Sequence, residues 1–381
     1  MLSNYNHLIK FIKSIYSKKE IFLHEPVFFG NELKYLSQTI ESTFVSSVGP
    51  FVDRFELEMA KFNNVKRSIA VVNGTSALQV CLRLVGVKSD EEVITQALTF
   101  VATANSIKYL NANPVFIDVD LKTMGLCPLA LENFLEEFAE IRDKGTFNKK
   151  SGKRISACLP MHTFGFICRI DEILIICNKW NIPVVEDAAE ALGSVFKGKK
   201  SGSFGQISAF SFNGNKIITS GGGGAIVTNN KKLADKAKYL TTTARDSSNF
   251  EYIHNELGYN FRMPNINAAL ICAQLENIDK IIQNKKSLYT DYKSFLNDKG
   301  LNLVSIPKNV EWNYWLFSVQ LENKKERDLF LKETNDNFVM TRPIWQLMYK
   351  LPMYKNCLRD NQKNAEFLVD RIVNIPSGEK L

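Results

Sequence analysis

From about residue 66 onward, short apolar runs alternate with segments whose apolar positions recur every three to four residues. SIAVVN predicts a strand and TSALQVCLRLVG a helix. The strand EEVITQA precedes the helix VATANSIKYL, and NPVFIDVD follows as a strand. The strand ISACLPM, a helix near DEILIICNKW and the strand IPVVEDAA continue the alternation, and ISAFSF and GAIVTN complete it. Short apolar strands separated by helices predict a mainly parallel sheet of seven strands covered on both faces. Such sheets gather ligands at the carboxyl ends of their strands. Upstream, the chain to about Lys19 reads as an amphipathic helix, followed by two helical patterns around a Ser/Gly/Pro loop at Ser46 to Pro50. The polar stretch from Asp143 to Lys153 reads as a surface loop. After about Asn277 the pattern changes to a long Lys-rich helix, a strand candidate NYWLFSVQLE, a charged helix and a strand candidate FVMTRP. This predicts three parts: a helical extension (1–23), a large α/β domain (24–278) and a smaller α+β domain (279–381).

Composition narrows the class. The 381 residues are 45% hydrophobic and 23% charged, ordinary for a globular protein of this size. The net charge of +8 is spread along the chain. That favours anionic small molecules over nucleic acid, which needs clustered basic residues and stacking aromatics. The seven cysteines form no CxxC pair, which argues against a zinc site and fits a reducing cytoplasm. No stretch approaches a membrane-spanning length, and the N-terminus lacks the pattern of a signal peptide.

Four groups fall where strands end. Asn73-Gly74-Thr75-Ser76 stands between a strand and a helix, where unpaired first-turn N–H groups seat a phosphate or Thr simply caps the helix. Thr99-Phe100 follows the next strand and places a ring that stacks on a flat ligand or joins the core. Glu186-Asp187-Ala188-Ala189-Glu190 ends the strand IPVVEDAA; buried carboxylates there need a partner, either a metal or a protonated ring nitrogen. Ser211 to Lys216 carries a lysine just past a strand, where partial desolvation frees an amine to form an imine. Each group alone has a bland structural reading. Together, a phosphate seat, a stacking ring, a carboxylate for a ring nitrogen and an imine-forming lysine are what a pyridoxal 5'-phosphate site requires.

The ordered motifs NGTSAL, TFVATANS, VFIDVD, PMHTFG, VVEDAAEALGS, SFGQISAFSFNGNKI, GYNFRMPNINAALICAQLE and MTRPIW resemble those of the DegT/DnrJ/StrS family of nucleotide-sugar aminotransferases. The resemblance runs from about His24 to the C-terminal end. It implies the aspartate-aminotransferase-like fold type I and a cofactor held as a Schiff base on Lys216. By position, Asp187 would pair with the pyridine nitrogen, Gly74, Thr75, Ser76 and Ser211 would hold the phosphate, and Phe100 would stack on the ring. Glu190 falls where many relatives have Gln or His near the ring hydroxyl. Asn260 matches a residue that reaches the phosphate in the other subunit, which implies a homodimer with shared sites. His162, Arg262 and Arg342 fall where substrate contacts are expected.

The resemblance implies transfer of an amino group from glutamate to the 4-keto carbon of a nucleotide-linked 6-deoxy sugar. The wording HEPVFFGNE and QALTFVATANSI is closest to a branch acting on UDP-N-acetylated sugars toward legionaminic-acid-type or bacillosamine-type products. A GDP- or dTDP-linked acceptor is the alternative. A sugar dehydratase shares the fold but typically has His at the lysine position, and a non-catalytic cofactor-binding regulator would not need the complete residue set.

Overall fold

A computed structural model of the protein describes residues 5–246, 250–297 and 299–380. Seven strands form the central sheet: β1 (Arg67–Val71), β2 (Glu92–Gln96), β3 (Asn113–Ile117), β4 (Ile155–Leu159), β5 (Val185–Asp187), β6 (Ile207–Ser211) and β7 (Gly224–Thr228). Their spatial order is β3-β2-β4-β5-β6-β7-β1, the link from β4 to β5 being made by parallel bridges at Cys158 with Val184 and Met161 with Asp187. Only β7 runs antiparallel to its neighbours. The middle strands read as continuous apolar runs because helices cover both faces; every residue of β2, β4 and β7 is buried.

Two helices start where the sheet strands end. Helix α1 spans Asn6–Tyr16, far upstream, whereas α2 (Gly74–Leu84) follows β1 and α3 (Val101–Lys108) follows β2. Beyond the large sheet lie α4 (Ile278–Leu296), α5 (Lys324–Asp336) and a second sheet in the order β8 (Asn302–Leu303), β9 (Phe317–Gln320), β11 (Ile372–Ile375), β10 (Arg342–Pro343). Helix α1 packs there: Phe11 stacks on Phe295 at 4.0 Å, Tyr5 meets Phe330 edge-on at 4.8 Å, and Leu8, Ile9 and Ile12 are buried.

Three segments differ from the sequence reading. The polar stretch after Asp143 is the second half of a hairpin, Ala139–Arg142 with Gly145–Asn148. Alternation places Thr146 and Asn148 inward, where Asn148 bonds the buried Glu92 carboxylate at 2.9 Å. NYWLFSVQLE yields only the four-residue β9, because Asn313 turns into the protein and its amide donates to the carbonyls of Glu190 and Leu192. FVMTRP shortens to β10 because Val339 bridges to Ile21 instead.

Candidate functional site

The carboxyl ends of β1, β5 and β6 open onto a cavity of about 670 Å³. Its floor carries Gly74, Thr75 and Ser211, Asp187 and Glu190 stand beside them, and Lys216 faces them. Phe100, half exposed, and Arg342 border it.

At one end, α2 begins with Gly74 and Thr75. The amide of Ser76 already donates to the Asn73 side chain at 2.8 Å, and Ser76 does not reach the cavity wall. The amides of Gly74 and Thr75 therefore lead the dipole end of the helix. A Cβ at Gly74 would come within 2.7 Å of the Ser211 Cβ, so only glycine lets α2 and β6 meet here.

At the other end, Asp187 is buried. Its carboxylate accepts from the Thr103 hydroxyl at 2.7 Å and from the Ala189 amide at 3.2 Å. Burial raises its carboxyl above the ordinary range, while those two bonds and the nearby charges of Lys216 and His162 act oppositely. Among the described residues, no cation lies within ion-pair distance of it.

Glu190 behaves differently. It pairs with the Lys216 Nζ at 3.3 Å, with side-chain exposures of 12% for the lysine and 3% for the glutamate. Its other oxygen accepts the Phe164 amide at 2.9 Å. Burial raises its carboxyl too, against the pull of Lys216. Phe164 and Gly165 presenting that turn both have positive φ, 54° and 92°. A Cβ at Gly165 would sit 2.1 Å from Asn313 Oδ1, so this close approach requires glycine. Trp315, which the sequence reading missed, lies with its ring centroid 4.2 Å from the Lys216 Nζ and donates its indole N–H to the Asn215 carbonyl at 2.7 Å. Thr103 was missed as well.

Of the other expected residues, His162, Asn260 and Arg262 lie off the cavity and Arg342 stands on its rim. His162 is fully buried behind the site: its Nε2 lies 3.1 Å from Glu186, and its Nδ1 accepts the Cys168 amide. Glu186 also accepts the amides of Gly202, Phe204 and Gly205 and the Ser208 hydroxyl, a structural knot on the far side of the strand end from Asp187. Asn260 is exposed and accepts from the Arg262 guanidinium at 3.0 Å; neither reaches the cavity of this chain. Arg342 is exposed on the rim and bonds Asn335 and the Thr341 carbonyl. Among the described residues, no group of three His, Cys, Asp or Glu side chains is arranged to hold a metal, and no helix is long and apolar enough to cross a membrane.

The donor set suits a phosphorylated pyridine aldehyde: helix-end amides for the phosphate, an unpaired buried carboxylate for a protonated ring nitrogen, and a lysine amine between them. The sequence profile of the DegT/DnrJ/EryC1/StrS aminotransferase family matches residues 29–381. The chain is 36% identical to EpsN of Bacillus subtilis (strain 168), named as a pyridoxal phosphate-dependent aminotransferase, over 95% of this chain and 92% of that one. It is 34% identical to the GDP-perosamine synthase of Escherichia coli O157:H7, covering 95% and 94% of the two chains. Among solved structures, Helicobacter pylori PseC, an aminotransferase involved in the biosynthesis of pseudoaminic acid, superposes with a TM-score of 0.85 at 24% identity, covering 94% of both chains. Fold, cofactor chemistry and sequence agree, and the chain belongs to the DegT/DnrJ/EryC1/StrS family of pyridoxal phosphate-dependent sugar aminotransferases.

Proposed function

We propose that this enzyme moves an amino group from glutamate to the keto carbon of a nucleotide-linked 6-deoxy keto sugar, with Lys216 as the reacting amine. The observation that carries this reading is Lys216 held in one cavity with a paired carboxylate, Glu190, and an unpaired one, Asp187.

Pyridoxal phosphate, when bound, supplies a carbonyl that exchanges with amines and a ring that takes up the electron pair released at the donor's α-carbon. Lys216 would hold that group by its amine. Once freed, the same amine would take the donor's α-proton and return a proton later, base and then acid at one atom. Asp187 would face the ring nitrogen and favour a proton there, since the buried carboxylate has no cation of its own. Gly74 and Thr75 orient the phosphate through their amides, with Ser211 beside them. Glu190, paired with Lys216, steers the ammonium toward the cavity. The Trp315 ring, its centroid 4.2 Å from the amine, covers it on one side.

Two acceptors compete. The UDP-N-acetylated sugar follows from the wording of the sequence. A GDP-linked sugar is favoured by the relatives named GDP-perosamine synthase, 34–36% identical to this chain. Assaying the holoenzyme with glutamate against GDP-, dTDP- and UDP-linked keto sugars decides between them. The visible absorbance should change on adding glutamate and revert with the true acceptor; no change with any amino donor would overturn transamination.

Asn260 supports a shared site. It lies off the cavity of its own chain, and a belt of exposed apolar residues, including Phe28, Leu33, Ile40, Phe44 and Val48, runs along the segment before β1. Such a belt is uncommon on a monomer. A two-fold dimer would cover it and carry each Asn260 to the partner's phosphate.

A further inference from the structure

His24 is the one described residue whose side chain has two buried polar atoms, Nδ1 and Nε2, without a hydrogen-bond partner in the protein. Its neighbours in sequence face two different spaces. Leu23 lines the active-site cavity together with Lys216 and Trp315. Glu25 lines a second cavity of about 170 Å³ on the opposite side, with Tyr16, Lys18, Gly378 and Glu379. His24 stands in the chain between a residue of one cavity and a residue of the other.

The C-terminal segment meets this stretch. The Ser377 amide donates to the Leu23 carbonyl at 2.9 Å, and its hydroxyl donates to the Trp315 carbonyl at 3.3 Å. Lys285, on α4 and fully buried, donates to the Ser377 carbonyl, which leaves N–H groups to spare. Burial holds the His24 ring well below the usual histidine range, and the charges of Lys285 and Lys216 add to this. A neutral ring offers one donor and one acceptor. Burial also brings Lys285 down to about 7, with Glu379 opposing, and Glu379 up to about 7, with Lys285 opposing.

Buried polar atoms without protein partners are satisfied by ordered water, and the two nitrogens of His24 call for it. We propose that His24, Lys285 and Glu379 line a rear water passage through which the Lys216 site exchanges water with solvent. The passage rests on the aminotransferase reading above, and the chemistry of that reaction calls for it. The donor's α-carbon is oxidised by two electrons, its C–N bond breaks, and its new carbonyl oxygen comes from water. The sugar carbon is reduced by two electrons, its C–N bond forms, and its carbonyl oxygen leaves as water. Water therefore crosses the site once in each direction per cycle. In the second half a nucleotide sugar fills the front mouth, and the rear route is the one left open. His24 and Lys285 are positioning residues, since neither touches the reacting atoms.

The test uses the holoenzyme and its half-reactions. In His24→Leu, the half-reaction with glutamate alone, a small donor, should keep its rate. The half-reaction with the nucleotide sugar should slow by at least about 10-fold, below the roughly 10²-fold of a direct acid–base group. Its KM should stay unchanged. His24→Gln, which keeps a donor and an acceptor, should restore most of the loss. Equal slowing of both halves, or no slowing in either, would overturn the passage. A high-resolution crystal structure of the apoprotein supplies a second readout, with ordered water expected on both His24 nitrogens. A dry His24 ring would refute the proposal whatever the kinetics. A wild-type enzyme inert toward every keto sugar would instead overturn the proposed function, and the water positions would still decide the passage.

Discussion

The two walls of the active cavity are built differently. On the sheet side, each chemical group is fixed by backbone that already belongs to a strand end or helix start: Asp187 on β5, Ser211 on β6, Gly74 and Thr75 on α2. The wall opposite comes from β10 and the loop after it, where Arg342 is exposed and Trp345 and Gln346 follow. The first wall is set by regular backbone, with Asp187 buried at its strand end, as a group must be to hold a proton at one atom. The second is short and more exposed, and the proposed reading gives it the contacts to the sugar. The lesson is that chemistry and specificity are separable here, so mutations on the two walls should move different kinetic constants.

The hardest test of that division is Lys216→Ala, which should abolish transamination and leave the cofactor bound only non-covalently. Borohydride reduction and peptide mapping check it; a label on another lysine would reassign the site. Next is Asp187→Asn, expected to slow turnover on the order of 10²-fold with little change in KM. The same change should leave the apoprotein at least as thermally stable at neutral pH. Burial raises the folded carboxyl above 3.8, so that group favours folding at low pH and opposes it as pH rises through the raised value. The advantage of Asn over Asp in melting temperature should therefore shrink on acidification, and a melting temperature well below wild type at pH 7 would count against an unpaired charge.

Asn260→Ala should weaken cofactor retention by roughly 1.5–3 kcal/mol, the contribution of a hydrogen bond to a charged group. Mixing it with Lys216→Ala subunits should recover activity in part, since a mixed dimer holds one site with both defects and one with neither. Verified heterodimers that recover nothing would place Asn260 outside the site. The smallest effect is expected on the far wall. Arg342→Lys keeps the charge but loses the planar fork, and should raise the KM of the nucleotide sugar by about 10-fold or less with kcat unchanged. A fall in kcat equal to the rise in KM would erase the distinction between the walls.

The strand-end groups were legible because an apolar run followed by small and polar residues marks both the end of a strand and the rim of a ligand site. The sequence could not reveal Thr103 or Trp315. Their contacts cross 84 residues to Asp187 and 100 to Asn215, and no local spacing encodes them. His162 and His24 make the same point in opposite directions. The first sits in a site-like motif yet is consumed by Glu186 and Cys168, whereas the second drew no notice in the sequence and is the one left without partners. Burial alone does not assign a role to a histidine; what it is bonded to does.

The contact between Ser377 and Leu23 also bears on how the molecule is made. Two segments far apart in sequence meet there, and Ser377 ties down the backbone of Trp315, whose ring lies beside Lys216. A ribosome-bound chain can form the large sheet early, because its strands are complete once β7 has emerged. The neighbourhood of the reactive amine waits for Ser377, which emerges well after β7, a late long-range closure of the kind that is slow to search. Until then the amine lacks that shelter, so a nascent or C-terminally clipped chain should be foldable in its sheet yet incompetent in its chemistry.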